Sequence, residues 1–296
     1  MIIDMHAHTS NRVMWNLHVK SASIASLENE ARRYGISLIV LMATYFPIKG
    51  TGVYNLDLLE RIEGRPLFKI FGSLDVMNKL DAGIVELELL AQRALIAGIK
   101  LYSGYQGFEP SEQRLYGVYD LAGRYNLPVM LHSGELHHCC GASLREGKAK
   151  PCGFSVCKIQ EYDDLCRPEY IEKPAREYPN VKFIVSHLAN PHFSELRDVM
   201  KRCPNIFTDI SGQFVSGSSE DTEEYRQFIV SEIRQFLLCP DGYKRVMFAT
   251  DFPIQSYKAS LDLISRLQLD SRQKENILAL NAMRILDQNY VLGRRS

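Results

Sequence analysis

The stretch AGIKLYSGYQGFEPSEQRLYGVYDLAGRYNLPVMLHSG, residues 97–134, decides the fold. It opens on a short apolar run, AGIKLYS (97–103), crosses the amphipathic segment SEQRLYGVYDLAGRYN (111–126) and closes on a second apolar run, LPVMLHSG (127–134). Both runs are nearly continuously apolar, as expected of parallel strands covered on both faces. Strand, helix, strand in that order is a βαβ unit, and the chain repeats it. Upstream lie IIDMHAH (2–8), ISLIVLMA (36–43) and LFKIFGSLD (67–75); downstream lie KFIVSHLA (182–189), NIFTDISG (205–212) and VMFATDFP (246–253). Amphipathic segments such as ASIASLENEARRYG and DAGIVELELLAQRALIAG separate them, and SRQKENILALNAMRILDQ ends the series. Eight strand-helix units in roughly 250 residues predict an α/β fold of the (β/α)8 TIM-barrel class. Without a Pro/Gly/Ser-rich linker, residues 1–296 read as a single domain.

The composition fits that reading. The 296 residues carry 35 Lys plus Arg against 35 Asp plus Glu, so a basic surface for nucleic acid or an anionic membrane is not expected. Hydrophobic residues at 46% and charged residues at 24% belong to a globular chain rather than a disordered one. The opening MIIDMHAHTS has no basic, apolar leader, and no apolar stretch is long enough for a spanning helix. Seven cysteines, an odd number, in a chain large enough to fold without staples point to reduced thiols and a cytoplasmic setting. A homodimer is compatible with the zero net charge.

One connection breaks the rhythm. Between the fifth and sixth runs, ELHHCCGASLREGKAKPCGFSVCKIQEYDD is polar and long for a plain loop, so residues 135–166 are expected to form a lid. His137, His138, Cys139, Cys140, Cys152, Cys157 and Cys166 match no C-x2-C pair, and lid thiols without metal are the favoured reading.

Polar residues gather where barrel active sites sit, at strand C-terminal ends. The first strand carries Asp4, His6 and His8, and i and i+2 share a face, so two imidazoles can reach one ion. Lys100 is on the fourth strand, His132 on the fifth, His187 on the sixth and Asp251 on the eighth. Metal binding is the reading this set favours over hydrogen-bonded core polars.

The ordered set of His-x-His, Lys, His, His and Asp resembles the amidohydrolase superfamily. The short chain is similar to the amidohydrolase-related family that includes aminocarboxymuconate-semialdehyde decarboxylase, resorcylate decarboxylases and several lactonases. The closing NAMRIL (281–286) is similar to that family's terminal helix. The resemblance implies His6, His8, His132 and Asp251 as metal ligands, zinc as the ion with manganese as an alternative, and Asp251 as the group that moves the proton of a metal-activated water. His187 is then a ligand of a second ion, or the acid/base if only one ion is bound. The segment GIKLY around Lys100 is similar to the dihydroorotase segment whose lysine is carboxylated and bridges two ions, so one and two ions both stay open.

For substrate contacts the mouth offers Arg12, Trp15, Tyr45, Phe46, Tyr102, Tyr105 and Gln106, with Ser211 and Gln213 after the seventh strand. Aromatics and an arginine suit a small planar or cyclic carboxylate. The leading expectation is a metal-dependent hydrolase of an amide, cyclic amide or lactone bond. The alternatives are a non-oxidative decarboxylase of an unsaturated or aromatic acid and a metal- or ligand-binding barrel without turnover.

Overall fold

The computed structural model describes residues 1–11, 17–47, 51–136 and 162–286. In chain order the strands are β1 (Ile3–Ala7), β2 (Leu38–Met42), β3 (Thr44–Phe46), β4 (Thr51–Val53), β5 (Phe68–Gly72), β6 (Gly98–Leu101), β7 (Val129–Leu131), β8 (Phe183–Val185), β9 (Ile206–Asp209) and β10 (Val246–Met247). Eight of them form one parallel sheet in the order β1-β2-β5-β6-β7-β8-β9-β10. Beyond β10 the chain returns to β1: the Asp251 N–H donates to His6 O at 2.7 Å and the His8 N–H to Phe252 O at 2.7 Å. This seam brings the two edges of the sheet together as a TIM barrel.

One helix follows each barrel strand. They are α1 (Ile24–Tyr34), α2 (Asn55–Ile62), α3 (Leu80–Gln92), α4 (Tyr116–Arg124), α5 (Glu169–Glu177), α6 (Phe193–Arg202), α7 (Glu223–Leu237) and α8 (Tyr257–Arg266). Local chemistry sets several starts: Ser23, Thr222 and Ser256 cap α1, α7 and α8 by accepting a backbone N–H three residues on.

Alternation along the strands divides the apolar side chains between two cores. Ile39, Leu41, Ile99, Leu101, Val129 and Leu131 pack outward in the layer shared with the helices. Leu38, Val40, Met42, Met130, Ile184 and Met247 belong to a second, inner cluster. Ala279, Ala282 and Ile285 of the chain's last described segment join that inner cluster. The segment runs α9 (Ser271–Glu275), a π-helical turn (Asn276–Leu280) and α10 (Asn281–Ile285), instead of the one regular helix expected from sequence. Asn281 anchors it through its amide, which donates to Val246 O at 2.7 Å and Tyr243 O at 2.9 Å.

The sequence reading missed β3 and β4. They form an antiparallel hairpin just past the end of β2. The pair is held by a bond from Val53 N–H to Thr44 Oγ1 (2.7 Å) and by the Tyr45 and Tyr54 rings, 4.7 Å apart. Three-residue strands leave too little period to read in a sequence. Most of the expected lid (137–161), with its histidines and four of its cysteines, lies outside the described residues, as do Arg12 and Trp15. Among the described residues no helix is long and apolar enough to cross a membrane.

Candidate metal centre and active-site cavity

The strand ends surround a cavity of about 410 Å³. His6, His8, Lys100, His132, His187 and Asp251 all line it. In a regular strand Met5 and His6 would point to opposite faces. The register of β1 against β2 shifts between Asp4 and Ala7, and across that irregularity Met5 stays in the inner core while His6 and His8 reach the cavity.

The donors fall into two overlapping groups that share His6. In the first, Asp251 Oδ1 lies 3.1 Å from His8 Nε2 and 3.6 Å from His6 Nε2. In the second, His6 and His187 meet Asp209. His6 and His187 stack with ring centroids 5.0 Å apart, and His132 meets His187 edge-on at 5.2 Å. His132 stands outside both compact groups, with Nε2 3.3 Å from Glu135 O. Lys100 donates from Nζ to Ser186 Oγ at 2.8 Å.

His6 Nε2 and Asp209 Oδ2 are buried without a hydrogen-bond partner among the described residues. An orphaned buried donor or acceptor costs about 1–3 kcal/mol, so such atoms call for an unseen partner. His6 Nε2 faces a carboxylate and a second imidazole, the donor set that holds a divalent transition metal. The described residues thus fit a His/Asp metal site made of His6, His8 and Asp251, with His187 alongside.

Electrostatics are consistent with neutral imidazoles and ionised carboxylates. Burial, reinforced by the Lys100 charge, pushes His6 down to about 3, and burial also lowers His187. Burial alone would raise Asp251, but His6, the bond from His8 and His187 outweigh it and hold the carboxyl well below its usual range. Asp209 is lowered in the same way: His6, His187 and Ser211 overcome its burial. Lys100 is brought down to about 8 by burial, a fall moderated by Asp209 and Asp251.

Backbone strain accompanies this arrangement. His187, Leu188 and Ala189 have φ of 63°, 54° and 54°, and Asp251 has 53°. Such conformations are rare for non-glycine residues and cluster at functional sites.

Beside His132, Phe46, Tyr102 and Tyr105 form an aromatic wall of the cavity with centroids 5.4–6.4 Å apart. The Tyr102 hydroxyl donates to Ala43 O at 2.9 Å, and Tyr105 packs edge-on to His132 at 4.8 Å. Gln106, expected at the substrate, is instead spent on backbone: its amide accepts from Val76 N and donates to Tyr45 O and Leu74 O. Ser211 and Gln213 also differ from mouth contacts. Ser211 Oγ bridges His187 Nδ1 (2.9 Å) and His6 Nδ1 (3.2 Å), and Gln213 donates to the His187 and Ser211 carbonyls. Sequence reasoning did not single out Asp209 or Ser186. Asp209 carries the same signal as Asp251, an acid at the C-terminal end of a barrel strand.

With this geometry in place, comparison with known proteins identifies the family. The amidohydrolase family model matches residues 3–288, and the chain belongs to that family. Members of the superfamily are metal-dependent enzymes, hydrolases or decarboxylases. The chain is 31% identical over 104 residues to the uncharacterized protein y4mH of Sinorhizobium fredii, a match spanning 32% of this chain and about a third (33%) of that relative. Among solved structures it is similar to the uncharacterized TIM-barrel protein Bb4693 of Bordetella bronchiseptica, with TM-score 0.71 and 17% identity over 99% of both chains. It is also similar to a probable 2-pyrone-4,6-dicarboxylic acid hydrolase of Acinetobacter baumannii, with TM-score 0.64 and 12% identity over 96% of this chain and 98% of the other. A third likeness is to a manganese-bound dihydroxybenzoic acid decarboxylase of Polaromonas, with TM-score 0.65 and 14% identity over 99% and 98%. At these identities the likeness is one of fold.

Proposed function

We propose that the protein is a metal-dependent hydrolase opening an amide, cyclic amide or lactone bond in a small planar molecule that carries an acid group. The observation that carries this reading is the Asp251 carboxylate, which faces the cavity with Oδ1 3.1 Å from His8 Nε2 and 3.6 Å from His6 Nε2. His6, His8 and Asp251 would hold the ion; zinc suits the imidazole and carboxylate donors, and manganese is the second candidate. Bound there, the ion would polarise a substrate oxygen and acidify water. Asp251, ionised at neutral pH, accepts the proton of the attacking water and returns it to the leaving group. His187, kept neutral by burial, stands beside it and lines the same cavity, where a ring lone pair would join the ion's donors or accept a hydrogen bond from the substrate. Lys100 gives the cavity floor a cation for the acid group, and the wall of Phe46, Tyr102 and Tyr105 suits a flat ring. A planar acid is supported by the Acinetobacter and Polaromonas neighbours, whose names specify a pyrone dicarboxylic acid and a dihydroxybenzoic acid.

Non-oxidative decarboxylation of an aromatic acid is a second reading, favoured by that same aromatic wall beside a buried lysine. The test is incubation of zinc- or manganese-loaded protein with a panel of lactones, cyclic amides and hydroxybenzoates, following acid release and carbon dioxide separately. Acid release from a lactone or amide without carbon dioxide is the expected result. Carbon dioxide from a hydroxybenzoate, with no ring opened, would replace the first reading by the second. Silence in both channels at full metal occupancy would favour a binding barrel.

A further inference from the structure

His6, His187, Ser211 and Asp209 share a buried set of contacts whose protons can be assigned by counting. Asp209 Oδ1 accepts the backbone N–H groups of His187 (3.1 Å) and Ser211 (3.0 Å), so it is an acceptor. The short contact between the Ser211 hydroxyl and that oxygen is therefore a donation from serine. A serine hydroxyl has one proton to give and two lone pairs. With its proton committed, Ser211 Oγ can only accept, and His187 Nδ1 (2.9 Å) and His6 Nδ1 (3.2 Å) both approach it. Each Nδ1 must then carry a proton. Independent contacts agree: His187 Nδ1 also lies 3.1 Å from the Ser211 carbonyl oxygen, and His6 Nδ1 lies 3.5 Å from Asp209 Oδ2.

We propose that Ser211 and Asp209 are positioning residues that lock His6 and His187 in the tautomer protonated at Nδ1, which reserves both Nε2 lone pairs for the cavity. Partner groups of this kind fix the orientation and basicity of histidine ligands. The His6 Nε2, buried without a partner among the described residues, is the atom such a lock would leave free. Gly212 leaves room for the arrangement: a Cβ there would sit 2.7 Å from His187 Nδ1. Gln213 holds the Ser211 carbonyl in place by donating to it at 2.9 Å. The inference rests on the cavity being a metal centre, but the tautomers themselves can be read without metal.

The test is nitrogen-15 histidine spectroscopy of the metal-free protein near neutral pH, paired with zinc affinity by chelator competition. Wild type should show both rings protonated at Nδ1. Asp209→Asn keeps an oxygen for the two backbone N–H groups but turns an NH2 towards His6. His6 should then shift to the Nε2-protonated form, while His187, still facing the Ser211 carbonyl, should not. Zinc affinity should fall by about 10–100-fold. If Asp209→Asn does not fold, Ser211→Ala gives the same reading. It leaves His6 Nδ1 only the 3.5 Å contact with Asp209, so its Nδ1-protonated share should drop while that of His187 holds. An Nε2-protonated ring in wild type would overturn the lock, as would variants whose tautomers match wild type. The predicted tautomers in a protein that takes up no zinc would support the lock and overturn the metal reading.

Discussion

Asp251 shows how much one residue is asked to do. Its backbone takes φ 53°, its N–H is bound to His6 O at 2.7 Å, and its carboxylate meets His6 of β1 and His8 just beyond it. The strained backbone is over-determined by the barrel seam, and it aims the carboxylate into the cavity. Asp251→Asn should lower turnover by on the order of 10³-fold with the fold retained, since an amide cannot accept the proton. Circular dichroism and steady-state kinetics check this together; near-normal turnover would remove Asp251 from the proton path. Lys100 makes a second residue-scale prediction. Its pKa of about 8 in the folded chain lies below the ordinary lysine value of 10.5, so between those two pH values the unfolded chain binds more protons than the folded one. Stability should therefore rise with pH across that window, and the full cost of the buried ammonium is borne below pH 8. Thermal melts at pH 7 and 10 should show this gain in wild type and a smaller one in Lys100→Met. As Lys100 loses its charge above about pH 8, KM for an acid-bearing substrate should rise.

The critical element is the seam between β1 and the chain beyond β10. Asp4, fully buried, accepts from Thr250 N–H (3.1 Å), Thr250 Oγ1 (2.7 Å) and His6 N–H (3.2 Å), tying the chain beyond β10 to β1 next to His6 and Asp251. Asp4→Ala would strand those donors, at a cost of about 3 kcal/mol. Urea unfolding checks the figure, and a loss under about 1 kcal/mol would mean the seam closes without Asp4. The hairpin of β3 and β4 contributes differently. It carries Phe46 and Val53 to the cavity and is held to the turn that follows β6 through Gln106, whose amide donates to Tyr45 O.

For the molecule as a whole, the donors come from both ends of the sequence: His6 and His8 near the start, Asp251 some 240 residues later, with Asp209 behind them. An ion bound to that set clamps the closed barrel and binds only the folded state. At a free concentration about 100 times its Kd it adds about 2.7 kcal/mol. Chelation should accordingly lower Tm by roughly 5 °C in a chain of this size. Calorimetry with and without a chelator, followed by zinc or manganese re-addition, tests this; identical Tm values would argue that the donor set binds no divalent ion.

The sequence by itself determined the barrel and the strand ends that meet at its mouth. Eight apolar runs with helices between them admit few other folds, and the polar residues His6, His8, Lys100, His132, His187 and Asp251 stand out because parallel strands are otherwise apolar. Only the tertiary structure decided how those residues divide the work. Strand spacing says which end of the barrel a side chain occupies, not which atom it meets. Hence the contact of Asp251 with His6 and His8, the separation of His132, the commitment of Lys100 to Ser186 and of Gln106 to backbone, and the joining of Asp209 and Ser211 behind two imidazoles were invisible in the chain. Each depends on contacts within about 3.5 Å between residues distant in sequence, and those are set by packing and by the register shift in β1.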